Sequence, residues 1–212
     1  MRFFLTTFVL AALAGASVPS MADVYLGLDT RIDEIAWHDP AAANYPQDTT
    51  GAAFHIGDRF TPYFGTEFGY SDSYGELNYT PTNTTTQSVP IAEAISDRLT
   101  IREFQLDNFA YLPLGPEGWV QPFVTLGAAY SDANARVRIT TESSDSSGNE
   151  TKSYAVTPFF HKQELDWRVG FGVQFQPLDA ISLRFLVRYQ PYSFKSEMSG
   201  GATLGLGLNA AL

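Results

Sequence analysis

The sequence predicts an all-β chain that folds as an eight-stranded antiparallel up-and-down transmembrane β-barrel. Apolar and polar residues alternate along eight segments, and the connections between them alternate between short and long. After the N-terminal segment, no window holds the roughly 18 consecutive apolar residues of a membrane-spanning helix. These observations together favour a membrane barrel with apolar side chains toward lipid and polar side chains inside.

The clearest alternation lies between residues 164 and 190. Its first half has the apolar residues Leu165, Trp167, Val169, Phe171, Val173 and Phe175 at every second position. After a turn at 177–180, its second half has Ile181, Leu183, Phe185, Val187 and Tyr189. Each of these two alternating runs is about as long as the ~10 residues that a tilted strand needs to cross a bilayer. The opposite face carries charges and glycines, so the two faces meet different surroundings.

The first four segments are predicted at 23–37, 49–58, 62–74 and 98–112. Segment 23–37 sets Val24, Leu26 and Leu28 against Tyr25, Gly27 and Asp29, and segment 49–58 reads TTGAAFHIGD. Segment 62–74 sets Phe64, Thr66, Phe68 and Tyr70 against Tyr63, Gly65, Glu67 and Gly69. Segment 98–112 sets Phe104, Leu106, Ala110 and Leu112 against Glu103, Gln105, Asp107 and Phe109.

The last four segments are predicted at 119–141, 164–176, 181–190 and 202–212, and the sixth could begin as early as Phe159. Segment 119–141 has Val120, Val124, Leu126, Ala128 and Tyr130 on one face, and segment 202–212 has Leu204, Leu206, Leu208 and Ala210. Short connections are expected at 57–62, 113–118 and 177–180, and longer ones at 38–48, 75–97, 142–157 and 192–201. Short periplasmic turns opposite long external loops are typical of membrane barrels.

Aromatic residues concentrate near the predicted strand ends. Those near the short turns are Phe60, Tyr63, Tyr111, Trp119 and Phe175. Those toward the long loops are Trp37, Tyr70, Tyr74, Phe159, Phe160, Tyr189, Tyr192 and Phe194. We expect them to form two belts at the interfaces between bilayer and water.

Residues 1–22 are predicted to be a secretory signal peptide. Arg2 supplies the positive start, residues 3–16 the apolar core, and Ser20-Met21-Ala22 the cleavage site. The barrel domain would then span residues 23–212. A retained transmembrane helix is the alternative, and it is disfavoured because the apolar core is short.

Charge and cysteine content exclude other classes of protein. The formal net charge is −10, from 23 acidic and 13 basic residues, and there are no cysteines. An acidic balance argues against nucleic acid as a partner, because phosphate needs basic patches. Without disulfides, closure of an exported domain must come from strand pairing.

Three stretches carry a family resemblance: Gly51 to Tyr70, Pro122 to Tyr130, and Arg168 to Tyr189. In these stretches the sequence resembles the OmpA-like outer membrane β-barrel family, the small eight-stranded barrels of Gram-negative bacteria. The resemblance implies a porin-like fold in the cell outer membrane. It also implies contact with outer membrane lipid and lipopolysaccharide, and insertion by the barrel assembly machinery.

The polar face carries the candidate site, a lumen ion-pair network. Its predicted members are Glu67, Glu103, Asp107, Glu164, Asp166, Arg168, Arg184 and Arg188. An eight-stranded barrel is narrow enough for side chains to fill, and buried charges must be paired. We expect Arg168, Arg184 and Arg188 to neutralise Glu67, Glu103 and Asp107 and to plug the lumen. The alternative is a polar conduit for a small solute.

The histidines give little support for an enzyme. None of His38, His55 and His161 begins a His-x-Ser motif, which the outer membrane lipid A deacylases of similar size would require. His161 with Glu164 is the one acid–base candidate, although a lone histidine at a strand end is more often structural. Residues 145–150 lack the ligand spacing of a calcium loop, so we expect neither a metal nor a cofactor.

The sequence therefore favours a non-enzymatic envelope protein with a structural or surface-contact role, exercised by loops whose partner no motif specifies. A narrow channel for small solutes is the second hypothesis. A soluble lipocalin-like ligand-binding barrel is the third, and it requires the apolar residues inside and the charged residues outside.

Overall fold

The computed structural model describes residues 23–37, 45–79, 92–114, 119–144, 150–178, 180–192 and 198–212. The predicted signal peptide, residues 145–149, His38 and Phe194 lie outside the described residues. Within the described ranges, no helix has the length and hydropathy that spanning a membrane would require.

Eight strands pair in chain order and close on themselves. They are β1 Asp23–Trp37, β2 Asp48–Thr61, β3 Phe64–Tyr79, β4 Ala92–Tyr111, β5 Val120–Ser144, β6 Glu150–Leu178, β7 Ile181–Gln190 and β8 Met198–Ala211. Each strand is antiparallel to its neighbours, and β8 pairs with β1 to complete the barrel. Closure leaves no sheet edge in the barrel wall. The predicted fold class is confirmed.

The apolar face of the strands points outward. Trp167 and Phe171 are 54% and 62% exposed, whereas Arg168 between them is 2% exposed. Because side chains alternate across a strand, this observation fixes the orientation of β6 between Phe160 and Phe175, where its pairing has no register shift. Leu206 on β8 and Phe185 on β7 are exposed in the same way. This arrangement is the opposite of what a soluble ligand-binding barrel requires.

The aromatic residues predicted for the two belts lie only in part on the outer surface of the barrel. Tyr63, Trp119 and Phe175 are exposed at the short-turn end, and Tyr70, Tyr74 and Tyr189 are exposed toward the long loops. Three predicted belt residues, Tyr111, Phe160 and Tyr192, are buried inside the barrel instead. The reason is strand parity, since a residue one position out of phase with the apolar face points inward. Only the backbone of Phe159 is described.

Four strands extend beyond the predicted ends, β5 by only three residues and β3, β4 and β6 by five or more. β3, β4, β5 and β6 continue to Tyr79, Ala92, Ser144 and Glu150, through much of the sequence predicted as loops at 75–97 and 142–157. β5 and β6 stay paired as far as Ser144 and Glu150. The polar, Thr-rich sequence hid these extensions, because outside a bilayer a strand needs no apolar outer face. At the other end, the turn predicted at 57–62 is shorter, because β2 runs to Thr61.

Candidate functional site in the barrel interior

Strand alternation places the predicted site residues inside the barrel. Seven of the eight are buried: Glu67, Glu103, Asp107, Asp166, Arg168, Arg184 and Arg188. The eighth, Glu164, is half-buried on β6. Asp166 and Glu164 continue the inward row of β6 beyond Arg168, toward the long-loop end. All eight positions are therefore on the inward side of the wall.

Asp107 on β4 is bound by two arginines from strands later in the chain, β6 and β7. Arg168 donates from Nε to Asp107 Oδ1 at 2.7 Å and makes a second, shorter contact from Nη2 to Oδ2. Arg188 donates from Nη2 to Asp107 Oδ2 at 2.7 Å and from Nη1 to Gln105 Oε1 at 3.2 Å. Two-pronged arginine–carboxylate contacts are among the stronger polar interactions in proteins.

Arg184 joins Glu67 to an acid that the sequence analysis left out. Its Nη1 contacts Glu67 Oε1, and its Nη2 donates to Asp29 Oδ2 at 2.7 Å. His55 lies beside this group, with Nδ1 3.7 Å from Asp29 Oδ2. The guanidinium also lies 5.6 Å from the centre of the Phe109 ring.

Glu103 has a different partner from the one predicted. Arg31 on β1 donates from Nη1 to Glu103 Oε2 at 2.7 Å and from Nη2 to Asp33 Oδ1 at 2.6 Å. The sequence analysis expected Arg168, Arg184 and Arg188 to neutralise Glu67, Glu103 and Asp107; the arginine in direct contact with Glu103 is Arg31. The signal for Arg31 and Asp33 was present, because both continue the inward alternation of β1 after Asp29.

Glycines on the inward face let polar side chains meet across an intervening strand. Gly127 on β5 lies in one row between Asp107 on β4 and Arg168 on β6. Gly207 on β8 lies between Arg184 on β7 and Asp29 on β1 in the same way. A Cβ at either glycine would overlap the neighbouring carboxylate. The missing side chain is what allows each arginine to reach an acid two strands away.

The same arrangement occurs twice more without arginine. Tyr25 OH donates to Glu67 Oε1 at 2.6 Å across Gly57. His55 Nε2 lies 2.8 Å from Asn209 Oδ1 across Gly27. Polar partners two strands apart, joined over a glycine, are thus a repeated device for filling this lumen.

Apolar clusters lie at both ends of these charges. The short-turn cluster consists of Phe109, Tyr111, Phe123 and Leu186. The long-loop cluster consists of Ile35, Leu99, Ile101, Ala133, Ala135, Phe160, Tyr192 and Met198. We call the charged residues between them the ionic layer: Asp29, Arg31, Asp33, Glu67, Glu103, Asp107, Arg168, Arg184 and Arg188. Simple alternation predicted polar side chains throughout the interior. The interior instead has an apolar cluster on each side of the ionic layer.

The histidines form no acid–base pair of the predicted kind. His161 and Glu164 are three positions apart in β6, so their side chains leave opposite faces of the strand. His161 Nε2 lies instead 2.8 Å from Asp132 Oδ1 on the outer surface. Among the described residues, no group of three His, Cys, Asp or Glu side chains could hold a metal ion.

The barrel is similar to known membrane proteins. The family model for the outer membrane protein beta-barrel domain matches residues 8–211. Neisserial surface protein A has a similar structure, with a TM-score of 0.59 and 10% identity over 91% of this chain and 100% of that one. OprG from Pseudomonas aeruginosa matches with a TM-score of 0.49 and 10% identity over 90% and 96% of the two chains. No curated protein sequence matches significantly. At such identities, structural likeness shows the fold alone.

Proposed function

The chain belongs to the outer membrane protein β-barrel family, and from this premise we propose that it is a non-enzymatic, closed barrel with a structural or surface-contact role. Its location would be the outer membrane of a Gram-negative bacterium. The observation that carries the proposal is a lumen filled at three successive levels: the short-turn cluster, the ionic layer and the long-loop cluster.

The ionic layer supports closure because it leaves almost no space. The void bordered by Asp29, His55, Glu67, Asp107 and the three arginines of β6 and β7 has a volume of about 10 Å³. A cavity needs roughly 10–15 Å³ to hold one water molecule. A hydrated ion would have to displace arginines that are bound to buried carboxylates, which costs several kcal/mol for each broken pair.

The apolar clusters support closure independently of the charges. Leu99 and Met198 are fully buried at the long-loop end, and Phe109 is buried at the short-turn end. At the short-turn mouth, the guanidinium of Arg59 lies 4.4 Å from the centre of the Tyr111 ring and donates to Gln121 Oε1 at 2.6 Å. A solute would therefore meet packed side chains before and after the ionic layer.

Conductance across a planar bilayer tests the closed lumen. Purified protein, with insertion verified by flotation of proteoliposomes, should give no single-channel steps at moderate voltage. A triple variant, Phe109→Ala, Arg184→Ala and Leu99→Ala, hollows one residue at each level and should conduct. Steady conductance by the wild-type protein would instead establish the narrow channel.

The projecting ends of β3, β4, β5 and β6 are the proposed contact surface. They extend the sheet beyond the apolar band on the long-loop side, where Ser153 and Val156 of β6 are exposed. In barrels of this family the long-loop side faces outward. The proposed role therefore depends on this end being outside the cell.

Cysteine labelling tests that orientation, since the chain contains no cysteine of its own. Ser153→Cys should react with a membrane-impermeant maleimide on intact cells. Leu114→Cys, exposed in the β4–β5 turn at the opposite end, is the matched control and should react only after lysis. The reverse pattern of labelling would contradict the proposed orientation.

Export by a cleaved signal peptide and insertion by the barrel assembly machinery remain part of the proposal. Both are supported by the family and by the sequence of residues 1–22. Mass spectrometry of protein purified from outer membranes should give a chain that begins at Asp23. A mass that includes residues 1–22 would contradict cleavage.

A further inference from the structure

Arginines that face away from the lumen are confined to one part of the outer surface. Within the described strands they are Arg98 and Arg102 on β4, and Arg136 and Arg138 on β5. The other described arginines lie in the ionic layer or, for Arg59, at the short-turn mouth. In a chain of net charge −10, this local concentration of positive charge is specific to the outer face of two neighbouring strands.

The sheet register brings two of these arginines side by side. Arg98 and Arg136 are directly opposite each other in the β4–β5 ladder. Like charges in this position destabilise a sheet, unless something negative lies between them. The next outward row toward the apolar band consists of Thr100 and Asn134, which are paired with each other. His161 of β6 lies beside Asn134.

These rows line a shallow cleft of about 400 Å³ on the outer surface. Three arginines, Arg98, Arg102 and Arg136, border it, against the single carboxylate of Asp132. That carboxylate is already engaged by His161 Nε2 at 2.8 Å and by Gln163 Nε2 at 3.2 Å. The lining therefore carries three cations against one engaged carboxylate, together with the hydroxyl of Thr100 and the amide of Asn134, while Glu76 and Asp72 of β3 lie opposite Arg98 and Arg102 at its border.

The arginines are held only loosely by the protein. Arg98 lies 3.4 Å from Glu76 and Arg102 lies 3.4 Å from Asp72, and the two arginine side chains are 55% and 59% exposed. Charge-assisted hydrogen bonds are usually 2.7–2.9 Å long, and exposed pairs of this kind contribute little to stability. Most of their guanidinium donors thus remain available to a ligand.

The position of the cleft identifies its occupant. Phe104 and Tyr130 form the last row of the apolar band on β4 and β5, and Arg102 is the next outward residue of β4 toward the long loops. With ~3.4 Å per residue and a strand tilt of about 45°, Arg102 lies roughly 5 Å beyond the band and Arg98 roughly 14 Å beyond it. The headgroup layer of a bilayer is roughly 5–8 Å deep. A simple phospholipid could reach Arg102, but only a lipid with anionic groups on a longer headgroup could reach Arg98 and Arg136.

We propose that this cleft binds the phosphate groups of lipopolysaccharide in the outer leaflet, with the acyl chains of the same molecule on the apolar band below. The proposal rests on the proposed outer membrane location and names the site of contact with that membrane. Arg102 meets the phosphates nearest the acyl chains. Arg98 and Arg136 together hold a phosphate group on the sugar core, which removes their mutual repulsion.

Binding of lipopolysaccharide to protein folded in detergent micelles tests the cleft. Each arginine near an anionic lipid surface contributes enough for roughly a fivefold change in affinity, so the double variant Arg98→Gln, Arg136→Gln should bind about 25-fold more weakly. The charge-conserving double variant Arg98→Lys, Arg136→Lys should stay within a few-fold of wild type. Lys162→Gln removes an exposed cation of β6 that does not line the cleft and should change nothing.

The lipid supplies a second control. Lipopolysaccharide treated with phosphatase should bind the wild-type protein about as weakly as the intact lipid binds the double glutamine variant. Equal binding of the wild-type and double glutamine proteins, or of treated and intact lipid, overturns the proposal. Tighter binding of a soluble sulfated oligosaccharide than of the lipid overturns it as well, because the cleft would then serve a soluble glycan.

Failure of this inference is distinguishable from failure of the proposed function. Heat-modifiable migration on gels verifies that each variant is folded before binding is measured. Location in the outer membrane and conductance are measured on the wild-type protein alone, so neither depends on the cleft.

Discussion

Arg168 and Asp107 form a two-pronged ion pair across the barrel wall, two strands apart, over the position of Gly127. The arginine could not take this path if the residue between them had a side chain. The pairing of Arg184 with Asp29 over Gly207 repeats the same geometry on the other side of the barrel. Inward glycines are therefore as important to the ionic layer as the charges themselves.

Gly127→Ala should destabilise the barrel by about 1–3 kcal/mol, because its Cβ would overlap Asp107 and force the ion pair apart. Urea-induced unfolding in detergent micelles gives the free energy of unfolding. Gly205→Ala is the matched control, since its Cβ would meet only ordinary contacts at 3.8 Å. If both substitutions cost the same, the glycine-bridged pairing is not what Gly127 provides.

Arg168→Ala should lower the free energy of unfolding by about 3–5 kcal/mol, because it removes a partner from a buried carboxylate. Arg188 alone would then remain on Asp107. Arg102→Ala removes an exposed arginine and should cost less than about 1 kcal/mol. An Arg168 variant as resistant to unfolding as wild type would argue that the ionic layer does not stabilise the barrel.

Phe171→Arg should cost about 2–4 kcal/mol in lipid vesicles, because it places a charge near the middle of the lipid-facing band. Gln163→Arg lies on the same face of β6, one row beyond the last apolar residue, Leu165. It should cost at most about 1 kcal/mol, since it meets water and headgroups. Urea titrations of both variants in the same vesicles give the two free energies of unfolding to be compared. Equal costs would mean that the exposed apolar face does not contact lipid.

Leu99→Ala should destabilise by about 2–5 kcal/mol, because Leu99 is fully buried in the long-loop cluster and the change leaves a cavity. The exposed Val156 lies outside the apolar band, and Val156→Ala should leave stability within about 0.5 kcal/mol of wild type. The Leu99 variant should remain non-conducting, because the ionic layer still fills the lumen. Conductance in this single variant would show that the long-loop cluster alone closes the barrel.

The strand count and the order of the strands followed from the alternation of residues such as Trp167 and Arg168, and the same alternation favoured an outward apolar face. That pattern is local, and a bilayer makes it strict, because every outward position must be apolar. The extensions of β4 to β6 could not be predicted in this way. Outside the bilayer an outward position can be polar, so a residue such as Ser96 or Ser153 looks the same in a strand as in a loop.

The sequence also identified the charges that lie inside, but not which charge meets which. Glu103 pairs with Arg31, 72 residues earlier in the chain, and that choice depends on how the strands are staggered around the closed barrel. The omission of Arg31, Asp33 and Asp29 was avoidable, since all three continue the alternation of β1. The closeness of Arg98 to Arg136 required the β4–β5 register, which no local pattern gives.

By itself, then, the sequence determined that this chain forms eight two-faced strands, because alternation at every second residue is a local property of a strand, and it favoured lipid outside and charges inside. Only the tertiary structure decided the ion-pair partners, the apolar clusters at both ends of the lumen and the arginine cleft above the band. These depend on register and closure, which bring together residues from strands far apart in the chain.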